Sequence, residues 1–296
     1  MPDPHAQNLV GQKAGQRHVL GMALMTLAVT LNATKDGLAK IMVGELSPLL
    51  ILWAQFTVTL IILIPLIVPR HGWRALVPRP LGRQTFRGLF LTCGVCLFYW
   101  SIRYISLAEA TAMVLLGPLV LTALSPFVLG EHVGARRWTA VIIGFIGVLI
   151  ILRPDFSGER FGHFLAFGAG ASIGLFYTFN RLLSHVSPPL VTVANAVIVG
   201  TVVLAPTLPF VWELPPADDV MIFVAFLCLS TLGQLSMITA FRFAPAPIVA
   251  PVIYFQIVAA TAFGVIVFQA FPDTITWIGI ATVVSAGVYI GVREAR

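Results

Sequence analysis

Charged side chains are scarce in this chain. Asp, Glu, Lys and Arg make up only 10% of its 296 residues, whereas soluble domains contain about 25%. Hydrophobic residues reach 58%, and the mean hydropathy is +0.94. A water-soluble protein of this composition would expose far too much apolar surface. We therefore expect an integral membrane protein, whose net charge of +6 indicates basic loops and no nucleic-acid partner.

Groups that carry catalysis or bind metals are also few. The three cysteines lie in apolar runs and the six histidines are scattered, so no disulfide framework or metal cluster is indicated. The sequence contains no Walker loop, no dinucleotide-binding glycine motif and no zinc-protease motif. We therefore expect no enzyme, no catalytic residues, no metal and no cofactor. No cleavable signal peptide is visible either, because residues 1–18 are polar and no small-residue cleavage site follows.

Long apolar runs fill most of the chain, broken by proline, glycine and charge. A membrane helix needs about 20 apolar residues, and proline disfavours helix in the breaks. The sequence predicts an all-α membrane protein with ten spans, at 18–43, 48–69, 83–104, 107–129, 137–153, 161–183, 188–211, 219–242, 246–270 and 274–292. Lys and Arg concentrate in the loops on one side of these spans, which predicts that both termini are cytoplasmic.

The two halves of the chain resemble each other. Matching residues recur 139 to 141 positions apart, among them Gly21 and Gly162, Arg103 and Arg242, and Thr122 and Thr261. The repeating unit is then five spans, covering 18–153 and 161–292. Because five is odd, the two copies are expected to have opposite orientations. An inverted repeat of this kind is typical of secondary transporters, whose substrate sites lie near the membrane midplane.

One set of residues resembles the EamA domain of the drug/metabolite transporter superfamily. It comprises Ala108, Ala112, Pro118, Gly130-Glu131, Trp138, Gly144 and Gly147-Val148, and Lys40 near the end of the first span also fits. The second copy departs from the pattern, with Gln269-Ala270 in place of Gly130-Glu131. The resemblance implies a multi-pass carrier of a bacterial inner membrane. It would export amino acids, aromatic ones in particular, or similar small metabolites by alternating access.

Polar residues inside the first span are the first site candidates. A buried charge there costs about 2.5–3.5 kcal/mol on insertion scales and usually faces a cavity or a partner. Asn32, Asp36 and Lys40 are four residues apart and share one helix face. They are predicted either to contact substrate or to bury charge by pairing, Asp36 with Lys40, or either of them with Arg103 or Glu109. Lys35 lies off that face and is expected to extend toward the interface.

The other spans carry further candidates. Residues predicted to bind substrate are Gln55, Tyr99, Trp100, Tyr177, Asn180, Asn195, Gln234, Tyr254 and Gln256. Residues predicted to be gating or structural charges are Lys40, Arg103, Glu109 and Glu131. Two alternatives stay open: Tyr99 and Trp100 can form an interfacial aromatic belt, and Gln55 and Asn195 can bond neighbouring helices.

Two other functions are weaker. A sugar-phosphate or nucleotide exchanger would need paired basic residues deep in the cavity, and only Lys35 and Lys40 qualify. A membrane enzyme or sensor would need a catalytic cluster or a soluble output domain. The expected partners are therefore a small-molecule substrate and the lipid bilayer, with a monomer as the simplest assembly.

Overall fold

The computed structural model describes residues 4–152 and 160–294, and their regular structure is entirely helical. The α-helices of this part of the chain are α1 (Pro4–Met42), α2 (Pro48–His71), α3 (Leu81–Ser101), α4 (Leu107–Val114), α5 (Gly117–Val128), α6 (Ala135–Leu152), α7 (Arg160–Leu182), α8 (Pro189–Leu204), α9 (Leu208–Val211), α10 (Val220–Phe243), α11 (Ala246–Val249), α12 (Phe255–Phe268) and α13 (Thr274–Glu294). Short 3₁₀ turns occupy Trp73–Leu76, Ala205–Thr207, Ala217–Asp219 and Ala250–Tyr254.

Seven helical segments of the described residues are long and apolar enough to cross a membrane. They are Pro48–His71, Leu107–Val128, Ala135–Leu152, Pro189–Val211, Ala217–Phe243, Pro251–Phe268 and Thr274–Val292. The remaining long helices α1, α3 and α7 carry polar groups such as Lys35, Arg87 and Asn180 within them. The ten-span count therefore stays a prediction, while a multi-pass helical membrane protein is established. The first helix also begins earlier than expected, at Pro4, inside the polar segment.

Two predicted spans are interrupted in their first halves. The fourth is divided into α4, ending at Val114, and α5, beginning at Gly117, where Pro118 lacks a backbone N–H. In the second half, the 3₁₀ turn Ala250–Tyr254 precedes α12. Leu115 in the first break and Tyr254 at the second are 139 residues apart, so the two breaks occupy matching positions in the two halves.

Helices pack across the two halves in matching pairs. α1 lies antiparallel to α10, because Gly21 adjoins Ala244 whereas Asn32 adjoins Gly233. α7 lies antiparallel to α3 in the same way, with Gly162 beside Tyr104 and Gly94 beside Ile173. Small residues at these crossings allow close backbone approach. The contacts of α1 with α10 thus repeat those of α7 with α3.

Two further pairs join helices that correspond to each other in the repeat. α6 packs antiparallel on α13, with Gly144 near Ala286 and Gly147 near the carbonyl of Gly279. α2 packs on α8, where Ile67 and Val191 share one apolar cluster and Phe56 lies against Gly200, so this pair is antiparallel too. The main apolar core lies inside the bundle and includes residues from both halves.

Candidate functional site

A cavity opens between the two helix breaks, and it is lined by residues of five helices. The volume of this cavity is about 90 Å³. The lining residues are Lys35 and Asp36 of α1, Gly94, Val95 and Phe98 of α3, Thr111 and Val114 of α4, Ile173 of α7 and Gln256 of α12. Val114 is the last residue of α4 and Gln256 the second of α12, so both breaks adjoin the cavity.

Lys35 and Asp36 form a buried ion pair in the cavity wall. The Nζ of Lys35 lies 2.6 Å from Oδ1 of Asp36, and the two residues are only 8% and 5% exposed. The expectation that Lys35 would extend to the interface is therefore wrong. The reason is tertiary: α1 is packed by α3, α10 and α12, so neighbouring residues on α1 both face protein and not lipid.

Hydrogen bonds extend this pair over four helices. Lys35 Nζ also donates to the hydroxyl of Tyr99 at 3.1 Å, and that hydroxyl donates to Oε1 of Gln55 at 2.6 Å. On the other side, Nε2 of Gln256 donates to Oδ2 of Asp36 at 3.5 Å. We call the five residues Gln55, Tyr99, Lys35, Asp36 and Gln256 the polar network. It partners both charges, which offsets part of the cost of burying them.

Thr111 adds a free hydroxyl to the same cavity. It is 2% exposed, and its Oγ1 has no hydrogen-bond partner among the described residues. A buried polar atom without a partner is costly and marks a place where a ligand or water can bond. Thr111 and Phe98 were not predicted from the sequence, although the Gly117-Pro118 break two turns after Thr111 was an available signal.

The three residues predicted to share one face of the first helix lie in three different environments. Asp36 lines the cavity, but Asn32 packs against Gly233 of α10. Lys40 donates to the backbone carbonyls of Ile102 and Ile105, each at 2.6 Å. Asp36 therefore pairs with Lys35, and the alternative in which Asp36 pairs with Lys40 is wrong.

Replacing Lys40 with Met is expected to destabilise the protein while leaving the cavity intact. The two carbonyls, in the connection between α3 and α4, would lose their donor, and each unsatisfied buried acceptor costs about 1–3 kcal/mol. Thermal unfolding in detergent should show a clearly lower midpoint for Lys40→Met and a nearly unchanged one for Lys40→Arg, which keeps a cation. Equal unfolding midpoints for Lys40→Met and the wild type would contradict this structural role of Lys40.

The remaining predicted charges lie at helix ends. Glu109 forms a capping box with Ser106 at the start of α4, and its Oε1 lies 3.8 Å from Nε2 of His163. Arg103 is exposed, while Glu109 is bonded to Ser106. Glu131 pairs with Arg181 at 3.0 Å on the surface.

Six further predicted site residues belong neither to the lining of this cavity nor to the polar network. They are Trp100, Tyr177, Asn180, Asn195, Gln234 and Tyr254. Trp100 packs against the apolar core, Tyr177 lies against Gly117, and Tyr254 lies against Gly287 of α13. The positions that match Lys35 and Asp36, 141 residues later, are Phe176 and Tyr177. The charged pair therefore occurs in one half only.

Membrane-crossing helices around a cavity whose wall contains a buried ion pair define a membrane protein of the transporter class. The family model described as "EamA-like transporter family" matches residues 19–153 and again residues 160–292. The chain belongs to this family, with one copy of the domain in each half. The expected resemblance is thereby confirmed.

Named relatives agree with this class. A riboflavin transporter of Vibrio cholerae is 26% identical over 247 residues, covering 82% of each chain. An S-adenosylmethionine uptake transporter of Rickettsia prowazekii is 23% identical over 279 residues, covering 93% of this chain and 94% of the relative. A solved crystal structure matches with a TM-score of 0.63 at 20% identity, covering 95% and 99%, which supports the fold alone. A small-metabolite transporter is therefore supported.

Proposed function

We propose that this protein is a secondary transporter with ten spans that moves amino acids or amino-acid derivatives across a bacterial inner membrane by alternating access. The observation that carries the proposal is the Lys35–Asp36 pair in the wall of a cavity between two broken helices. An intramembrane ion pair is expensive and is usually retained for function. Broken helices adjoin the substrate sites of many secondary transporters.

The pairing of corresponding helices supports alternating access. α6 lies antiparallel to α13 and α2 to α8, and each pair joins counterparts of the repeat. A two-fold axis that exchanges antiparallel helices is perpendicular to them, so it would lie in the membrane plane. We infer an inverted repeat of two five-span units, about 18–153 and 161–292, with α1, α3 and α7 completing ten spans. Exchanging the conformations of the two units would open the cavity to either side.

The chemistry of the cavity favours a zwitterion. Lys35 can bind a carboxylate and Asp36 an ammonium group, and the two are close enough for both ends of an α-amino acid. Binding would exchange the internal pair for two pairs with substrate, so no buried charge is left uncompensated. Phe98, Val95 and Ile173 offer an apolar surface to a side chain. S-adenosylmethionine, the named cargo of one relative, also carries an α-amino acid group.

A second candidate substrate is an uncharged heteroaromatic compound. Most of the lining is apolar, and Thr111 and Gln256 can bond the edge of a ring. Riboflavin, the named cargo of another relative, is of this chemical class. With such a substrate, Lys35 and Asp36 would remain bonded to each other during binding. The pair would then contribute to the conformational change of the protein and not to substrate binding.

Counterflow into proteoliposomes tests the proposal. Purified protein is reconstituted with unlabelled aromatic amino acid, S-adenosylmethionine or riboflavin inside, and uptake of the same labelled compound is measured. We expect accumulation for at least one compound with an α-amino acid group. Accumulation of riboflavin alone would favour the second candidate, and no flux of any compound would contradict a carrier of these solutes.

Export is the direction that we propose, in line with the resemblance to exporters. Cells that overproduce the protein should then tolerate higher concentrations of a toxic aromatic amino acid analogue than cells producing the Asp36→Asn variant. Greater sensitivity would instead indicate uptake, as in the relatives named uptake transporters.

A further inference from the structure

A second opening lies on the outer surface of the bundle, between α6 and α13. The volume of this opening is about 330 Å³. The lining residues are Arg136, Thr139, Ala140 and Ile143 of α6, and Ser285, Ala286 and Tyr289 of α13. None of these residues belongs to the polar network or to the central cavity. We call this opening the α6–α13 groove.

The groove arises from the way the two helices cross. Gly147 and Gly279 lie at the point of closest approach, where a Cβ on Gly147 would be 3.0 Å from the carbonyl oxygen of Gly279. One turn nearer the start of α6, Gly144 still adjoins Ala286. From this contact the groove extends along both helices as far as Arg136 of α6 and Tyr289 of α13.

Charged, hydroxyl-bearing and apolar side chains all contribute to the lining of the groove. Arg136 is exposed in the first turn of α6 and is the charged residue of the lining among the side chains that the structure describes. Hydroxyl groups of Thr139, Ser285 and Tyr289 lie in the same lining. Ile143 continues the wall deeper into the span and is 45% exposed.

The surface beside the groove is lipid-facing. Ile142, Ile146 and Leu149 on the same helix are 57%, 48% and 61% exposed, as expected for side chains in contact with acyl chains. An occupant must therefore enter from the bilayer, with an anionic end at Arg136 and an apolar end at Ile143. A water-soluble anion would match only one of these ends.

We propose that the α6–α13 groove binds one anionic phospholipid, with its phosphodiester at Arg136 and an acyl chain along Ile143. Basic pockets between membrane helices near the cytoplasmic surface recognise anionic headgroups. Arg136 follows the same predicted cytoplasmic loop as Arg137, but Arg137 does not line the groove. The lipid would bridge α6 and α13, one helix from each half of the repeat.

Native mass spectrometry of the full chain tests this site. Detergent-purified protein is titrated with phosphatidylglycerol or with phosphatidylcholine that has the same acyl chains. We expect one phosphatidylglycerol molecule to be retained in preference to phosphatidylcholine. Arg136→Gln should weaken that retention by about five-fold, the effect of removing one basic contact to an anionic membrane surface, while Arg137→Gln should leave it nearly unchanged.

A second variant tests whether the lipid is held in the groove or only by attraction to surface charge. Ser285→Phe keeps Arg136 but places a ring in the lining, and it should also reduce retention because the site is then filled. Equal retention of the two lipids, or equal effects of Arg136→Gln and Arg137→Gln, would overturn the proposal. Displacement of the bound mass by inorganic phosphate would overturn it as well, because it would identify an anion site without lipid.

Discussion

Asp36→Asn is expected to abolish counterflow and to lower the stability of the protein. The substitution leaves the ammonium group of Lys35 buried with neutral partners only, the Tyr99 hydroxyl and the introduced amide oxygen. Removing one member of a buried ion pair costs about 3–5 kcal/mol, because the other charge is left uncompensated. Transport would also lose the group that we assign to the substrate ammonium. The measurements are the initial rate of counterflow and the midpoint of thermal unfolding in detergent.

A double variant distinguishes a loss of transport activity from a loss of stability. Lys35→Met combined with Asp36→Leu replaces the whole pair with apolar side chains of similar size, a change that is often neutral or stabilising. We expect it to unfold at or above the wild-type midpoint but to show no counterflow of an amino acid. Glu131→Gln, which breaks the surface pair with Arg181, should affect neither property strongly. Full transport by the double variant would contradict a substrate role for the pair.

Gly170→Ala is expected to be the most disruptive single-methyl change in the bundle. A Cβ at this position would collide with the backbone carbonyl of Met113 in α4. A backbone atom cannot rotate away as a side chain can, so α4 and α7 would have to separate. Overpacking usually costs about 1–3 kcal/mol, and we expect the upper end of this range. The folded yield and the thermal midpoint should both fall, and the cavity wall formed by Thr111 and Ile173 should open.

Gly291→Ala is the matched control for that change. The position is also helical, but a Cβ there meets nothing within 4 Å. Alanine is favoured over glycine in a helix by about 1 kcal/mol, so this variant should be equally or more stable than wild type. If the two variants unfolded at the same temperature, close packing of α7 on α4 would not be the reason for Gly170.

The fold was largely predictable because membrane helices are specified locally. Each needs a long apolar run with its own hydrogen bonds satisfied, and proline or charge marks the ends. The sequence alone identified a multi-pass helical membrane protein with an internal repeat and EamA-like motifs. It did not predict that the spans at 107–129 and 246–270 are broken. Both runs are continuously apolar enough to be counted as single helices, and Pro118 marked the first break only indirectly.

The site was predictable only in part. Asp36, Gln55, Tyr99 and Gln256 were selected because polar groups inside apolar spans are costly. Lys35 was misplaced because helical periodicity assigns it to a different face from Asp36. That argument assumes one face toward protein and one toward lipid, whereas α1 is packed on several sides by α3, α10 and α12.

The sequence by itself determined the membrane class, the repeat and the presence of unusual charges in the first span. Tertiary structure decided which of those charges meet. Lys35 and Asp36 pair because α3 and α12 place Tyr99 and Gln256 beside them. Lys40, one turn further, is bonded to the connection between α3 and α4. The choice between partners depends on distances of a few ångströms between helices that are far apart in the chain. A local sequence pattern does not specify these distances.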